Sequence, residues 1–315
     1  MGNKNVVGIS MKGGRRDNFI FCLLEHYVDN NRWFLKSLMQ VKDEEGLDGN
    51  DAIRTWIDEY NVQKMVLDFP LTTPACQHCN LECPGLNRCP QESVTNVNGL
   101  INEILDKDAA IRIQNPKAYE RERNFDDEVQ FSKDILSREA NHHILSRSYK
   151  RRLKKGFLPY WNRPVDLWVW NTYYDHLLHF FNTSYDSFGN TSLMMLSRFA
   201  YLKRHFPKNL ELFEGNVNLN LIELLRSKTI LKKDIINMSD LDLGVEARLD
   251  IIKKIEAKQN IFIYDHDLEI LVKNPRAFDS FILAISGQSF YLDKIKSLPE
   301  WANPKETKFI VPSFL

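Results

Sequence analysis

The sequence predicts a mixed α/β fold, and three observations carry the prediction. Three short apolar runs follow one another near the start, an amphipathic helix comes directly after them, and a continuous apolar run is then stopped by a proline. Asn5 to Ser10 is a β-branched run, Lys12 to Asn18 carries Gly13-Gly14 as a turn signal, and Phe19 to Leu24 is a second apolar run. Arg32 to Val41 alternates Trp33, Leu35 and further apolar positions, which reads as a third strand. Sequential strands joined by tight turns pair antiparallel.

In the stretch that follows, Ala52, Ile53, Trp56, Ile57 and Tyr60 recur at helical spacing, with Asp48 or Asn50 as the cap. Met65, Val66 and Leu67 are consecutively apolar, as in a strand covered on both faces, and Pro70 forbids its continuation. The order is therefore β-β-β-α-β. From Leu71 to about Arg163 the pattern gives way to a Cys-rich loop and a charged stretch with weak helical periodicity at Ile101, Ile104 and Leu105, which reads as an insertion. Beyond it, Leu193, Leu196, Phe199 and Ala200 mark a helix with Asn190, Thr191 or Ser192 as its cap. Asn209 to Glu214 is strand-like, Leu219 to Leu225 and Glu246 to Ile255 are helical, and Ile261 to Tyr264 is undecided. Asn274 caps a last helix with Pro275 at its first position and an apolar stripe of Phe278, Phe281, Ile282 and Ile285.

A chain of 315 residues with 43% hydrophobic and 27% charged residues is of ordinary globular composition, which excludes a disordered, collagen-like or disulfide-scaffold protein. Lys plus Arg and Asp plus Glu are equal at 42 each, so any attraction to phosphate must be local. No apolar run approaches the roughly 18 residues of a membrane span, and the opening MGNKNVVGIS lacks the order of a signal peptide. A cytoplasmic protein without a membrane partner is expected.

Three acidic residues draw attention. Asp68 ends an apolar strand, and the carboxyl ends of strands form the ligand crevice of open α/β sheets. It is placed either for a metal or to satisfy the turn that follows. Asp279 lies in the first turns of the last helix beside apolar neighbours, either paired in the interior or facing solvent, where it complements the helix dipole. Glu214 closes LELFEGN at a strand end.

GIS at residues 8 to 10, VLDFPL at 66 to 71, LFEGN at 212 to 216, AFDSFILAISG at 277 to 287 and the tail FIVPSFL together resemble the domain-of-unknown-function family numbered 429, described as predicted nucleases of ribonuclease H-like fold. The resemblance covers about residues 5 to 75 and 190 to 315. It implies a ribonuclease H-like mixed sheet, with three antiparallel strands followed by parallel ones, flanking helices and a Cys-rich, partly helical insertion. The core is then residues 1–70 and 166–315, and the insertion, with its four-cysteine metal knuckle and basic run, is 71–165. It further implies a divalent-metal-dependent nuclease in which Asp68, Glu214 and Asp279 hold Mg²⁺ or Mn²⁺ ions that activate water and stabilise the leaving oxygen.

The departure from that pattern is Ser10, which stands where the family's first strand ends in Asp. A neutral hydroxyl is a poor ligand for a hard cation. The alternative is a catalytically inactive ribonuclease H-like scaffold that binds nucleic acid or a partner. Asp17, across the Gly13-Gly14 turn, is a candidate substitute acid. A phosphotransferase of actin-like fold, with KGGRR cradling phosphate, is a third class, but that fold repeats the β-β-β-α-β unit and only one copy is present.

Cys76, Cys79, Cys83 and Cys89 form a second group whose spacing suits a tetrahedral zinc knuckle or an iron–sulfur cluster, with metal-free thiols or disulfides as the third option. Such a knuckle either staples the insertion or helps to seat a substrate. His78 lies between two of the cysteines as a candidate replacement ligand, and Cys22 reads as a buried strand residue. Arg147, Lys150, Arg151, Arg152, Lys154 and Lys155 make a basic run followed by Phe157, Tyr160 and Trp161. Its two readings are a nucleic-acid contact and a solvated helix face paired with Asp126, Asp127, Glu128 and Glu139. The aromatic stretch from Asp166 to Phe181 reads as packing, His176 and His179 included.

Overall fold

The computed structural model describes residues 4–10, 19–40, 49–123, 145, 147–156, 158–181, 193–240, 242–302 and 308–314, with the backbone alone at a few helical positions such as Arg147. Gly13-Gly14, Asp17, Asp48, the acids at 126, 127, 128 and 139, Phe157 and the cap candidates Asn190, Thr191 and Ser192 lie outside the described residues.

Strands β1 (Lys4–Ser10), β2 (Ile20–Tyr27) and β3 (Arg32–Gln40) precede helix α1 (Gly49–Glu59) and strand β4 (Lys64–Leu67). Helices α2 (Glu92–Gln114), α3 (Pro116–Arg123), α4 (Arg147–Leu153), α5 (Leu158–Trp161) and α6 (Pro164–Phe181) come next. Helix α7 (Leu193–Lys203) leads to β5 (Glu211–Glu214), and α8 (Val217–Arg226), α9 (Lys232–Asn237) and α10 (Gly244–Gln259) follow. The chain then forms β6 (Ile261–Phe262), α11 (Asp265–Lys273), α12 (Pro275–Tyr291) and β7 (Lys308–Phe309).

These elements make two compact units. One holds residues 1–71, 190–297 and 307–315, and the other holds 72–189 and 298–306. The first is built on a seven-stranded sheet of order β6-β3-β2-β1-β4-β5-β7. Strands β1, β2 and β3 pair antiparallel, with Ser10 opposite Ile20. Strands β4, β5 and β7 join parallel to β1 on one side, and β6 pairs parallel with β3 at the other. The undecided segment near Ile261 is thus an edge strand. Asn260, at φ 51°, turns the chain out of α10 just before it.

Helix α1 covers one face of this sheet. Its Ile53, Trp56 and Ile57 are buried with Val7, Ile9, Phe21, Leu23, Met65, Leu67 and Phe69, and with Phe199 and Leu202 of α7. The Phe21 and Trp56 rings meet edge to face at 5.4 Å. Helix α12 covers the other face, starting from Asn274, whose Oδ1 accepts from the Arg276 amide at 3.0 Å. It comes so close that a Cβ on Gly8 would stand 2.1 Å from the Ser280 carbonyl oxygen and 2.4 Å from the Ala284 nitrogen. Gly287 answers from the helix side, with Val6 Cγ2 2.1 Å from where its Cβ would be. The absence of side chains at Gly8 and Gly287 sets the depth at which α12 docks.

The second unit runs beyond residue 165, the boundary expected from the sequence, because α6 packs within it against α2 and the 300–302 turn. Trp170, Tyr173 and Leu177 are fully buried there, so the aromatic stretch is packing. Arg163 and Asp166 form a buried ion pair at 2.7 Å that also reaches Thr72 through the guanidinium, tying the start of α6 to the start of the unit. Among the described residues no helix is long and apolar enough to cross a membrane.

Candidate functional site

The carboxyl end of β1 is where the first unit gathers polar atoms. Ser10, only 2% exposed, donates its hydroxyl to Asp68 Oδ2 at 2.7 Å. Its amide donates to the Ser280 hydroxyl at 3.0 Å, and Ser280 donates in turn to the Ile20 carbonyl at 2.9 Å. Ser280 therefore binds α12 to the ends of β1 and β2, a role that its position next to Asp279 does not announce. Asp68 reaches Ser10 because Gly8 is in register with Val66 and Ile9 with Leu67, which sets the next residue of each chain side by side.

Alternation then separates the acids. Leu67 and Phe69 belong to the α1-side core, so Asp68 between them turns to the α12 side. Phe213 packs on Phe290 of α12 at 4.6 Å, so its neighbour Glu214 turns to the α1 side, as Leu212 does. Glu214, 4% exposed, accepts the Leu71 amide on Oε2 at 3.1 Å and so fastens the segment after β4. Asp279 lies one residue before Ser280, and its charge acts on the guanidinium of Arg248 on α10. Burial holds that guanidinium below its ordinary pKa and Asp279 opposes the shift, while Arg248 Nε donates to the Val272 carbonyl at 2.7 Å. Ser10 and Asp68 are thus together, whereas Glu214 faces the other side of the sheet and Asp279 stands in the field of a cation.

This arrangement is a poor match to a two-metal centre. Such a centre needs several carboxylate oxygens converging on cations about 4 Å apart. Here the group beside Asp68 is a neutral hydroxyl that donates to it. Among the described residues no three of His, Cys, Asp and Glu stand together as a metal-holding group. The residues do not fit the Mg²⁺ or Mn²⁺ pair, and no hydrolytic step follows from them.

In the second unit, the four clustered cysteines lie on a loop with two 3-10 turns, Ala75–His78 and Leu86–Arg88. Burial pushes the Cys76 thiol up, and the charges of Cys89, Cys79 and Cys83 push it the same way, so the four sulfurs are within electrostatic reach of one another. The Cys83 sulfur lies 3.9 Å from the Tyr160 hydroxyl. His78 is exposed at the end of the first turn. Cys22 is fully buried on β2, which drives its thiol well above the ordinary range.

The basic run is divided by its surroundings. Lys150 is bound to Asp108, a buried carboxylate that also accepts the Tyr119 hydroxyl at 2.8 Å and the Leu145 amide at 3.1 Å. Burial opposes the Lys150 charge, but the hydrogen bond and charge of Asp108 outweigh it and hold the ammonium pKa up. Lys150 therefore anchors α4 and is withdrawn from any phosphate contact. Arg151, Lys154 and Lys155 are exposed, Arg152 is half-buried, and the Arg147 side chain lies outside the described residues. Comparison of the chain with protein-family models, with curated proteins and with solved structures finds no match.

Proposed function

We propose that the protein is a ribonuclease H-like scaffold that binds nucleic acid without cutting it. The strand order supports the fold, since an antiparallel β3-β2-β1 set continued by parallel β4 and β5 is the arrangement expected of that class. The observation that carries the loss of cleavage is the hydrogen bond from Ser10 to Asp68. It fills the place of the first carboxylate with a donor and occupies a lone pair that a cation would need. The exposed Arg151 and Lys154 around α4 support the binding half of the reading, because they can neutralise phosphates while Lys150 holds the helix in place.

The test uses labelled single-stranded DNA, single-stranded RNA and an RNA–DNA hybrid with Mn²⁺. The parent protein retains one or more of them without cleaving any. Its affinity falls with salt and is weakened by the Arg151→Glu and Lys154→Glu double variant. Ser10→Asp gains Mn²⁺ binding between two carboxylates but no cleavage, because Glu214 stays turned to the other side of the sheet. Robust cleavage by the parent that Asp68→Asn abolishes overturns the reading in favour of an active nuclease, and failure to retain any of the three overturns the binding half in favour of a protein partner.

A further inference from the structure

We infer that Cys76, Cys79, Cys83 and Cys89, which this structure does not bring together as a metal-holding group, draw in around one zinc ion, which holds the loop in place of a hydrophobic core. The inference is independent of what the first unit does. Residues 71–93 are all described, and not one of them is buried. The backbone is nevertheless shaped into two tight turns, closed by Gln77 on the Pro74 carbonyl at 3.0 Å and by Arg88 on the Gly85 carbonyl at 3.1 Å. Neither turn has a side-chain cap. Fixing such a stretch loses conformational entropy at every residue, and partial burial alone offsets little of that loss. A bound metal does so, because its binding free energy acts as folding free energy.

The turns also deliver the ligands. The first carries Cys76 within it and ends on Cys79, and the second ends on Cys89. Gly85, at φ 86°, adopts at the start of the second turn a backbone conformation that favours glycine. Both turns pack against α2, which gives the pair a common floor. Four thiolates match the tetrahedral preference of zinc. Cys83 is exposed and the other three are partly so, and an ion with no redox change suits sulfurs this near solvent. With Cys83 as a thiolate, the Tyr160 hydroxyl 3.9 Å away lies in position to donate to it on modest closure, in the manner of the outer hydrogen bonds that orient metal ligands.

The full chain, purified without chelators, is expected to contain one zinc per molecule, released stoichiometrically by an organomercurial. Exchange with Co²⁺ is expected to give thiolate-to-cobalt charge-transfer bands and the visible bands of tetrahedral cobalt. Cys79→Ser abolishes zinc retention, and Cys22→Ala keeps it. Should Cys79→Ser fail to fold, alkylation of the parent decides the matter: zinc protects Cys76, Cys79, Cys83 and Cys89 together, and removal of the metal by a chelator exposes all four. Iron with acid-labile sulfide, disulfides among these cysteines, or four freely alkylated thiols in the native chain each overturn the proposal.

Discussion

Replacing Ser10 by aspartate places a second carboxylate against Asp68 in a position only 2% exposed. The present Ser10 Oγ to Asp68 Oδ2 separation is 2.7 Å, and the added atom brings oxygen against oxygen unless the side chains part. Two unit charges at ~4 Å repel by about 4 kcal/mol at an effective dielectric of ~20. Relaxation and proton uptake reduce this, and a net destabilisation of about 2–4 kcal/mol remains as an order of magnitude. For a domain of ~150–250 residues each kcal/mol moves Tm by about 2–4 °C, so Ser10→Asp is expected to melt about 4–16 °C below the parent. A divalent cation between the two carboxylates reverses the sign of their interaction. Mn²⁺ at ~100 times its Kd restores about 2.7 kcal/mol. The assay is calorimetric melting of parent and variant with and without Mn²⁺, in a buffer free of chelator so that the cysteine loop is undisturbed. A variant that melts with the parent in the absence of Mn²⁺ refutes the facing geometry. A variant that melts early and gains nothing from Mn²⁺ refutes the claim that Ser10 is what keeps the cation out.

Gly8→Ala drives a methyl group into the Ser280 carbonyl at 2.1 Å, so α12 must lift, and urea unfolding is expected to show a loss of about 3 kcal/mol, the upper end of overpacking. Glu223 is 1% exposed and ion-paired with Arg226 and Lys296, each at 2.8 Å; Glu223→Gln removes the charge that both cations share and costs about 3–5 kcal/mol by the same measurement. Burial pushes the Tyr291 phenol up to about 12, with Glu211 adding to the shift. A group whose folded pKa is raised stabilises fully below its unfolded value, about 10 for Tyr, and that stability disappears as pH rises through the folded value. Unfolding curves should therefore show the parent losing stability relative to Tyr291→Phe between pH of about 10 and 12. Asp108→Ala takes from the Lys150 ammonium and the Tyr119 hydroxyl their buried acceptor, and hydrogen exchange is expected to accelerate in α3 and α4 while β1 and β4 stay protected.

Much of the first unit was legible because local rules and tertiary packing agree there. Periodicity gave α1, the proline-stopped run gave β4, and Asn274 with Pro275 gave the start of α12, each an outcome of neighbouring residues alone. Helix α2 was visible only as weak periodicity although it runs from Glu92 to Gln114, since few of its side chains are buried and its pattern is correspondingly faint. The two-residue strands β6 and β7 carry too few side chains to signal themselves and exist because β3 and β5 offer open edges.

Reading along the chain was enough to say which residue types stand at the candidate site: Ser10 and not an acid, Asp68 at a strand end, four cysteines within fourteen positions. Whether the acids meet was a question of direction, answered when register and alternation turned Asp68 toward α12 and Glu214 toward α1. The fates of Lys150 and Asp279 were likewise hidden, because Asp108 and Arg248 lie tens of residues away along the chain and become neighbours only through packing. Composition and spacing are properties of a segment, whereas the convergence of charges depends on long-range contacts that no segment contains.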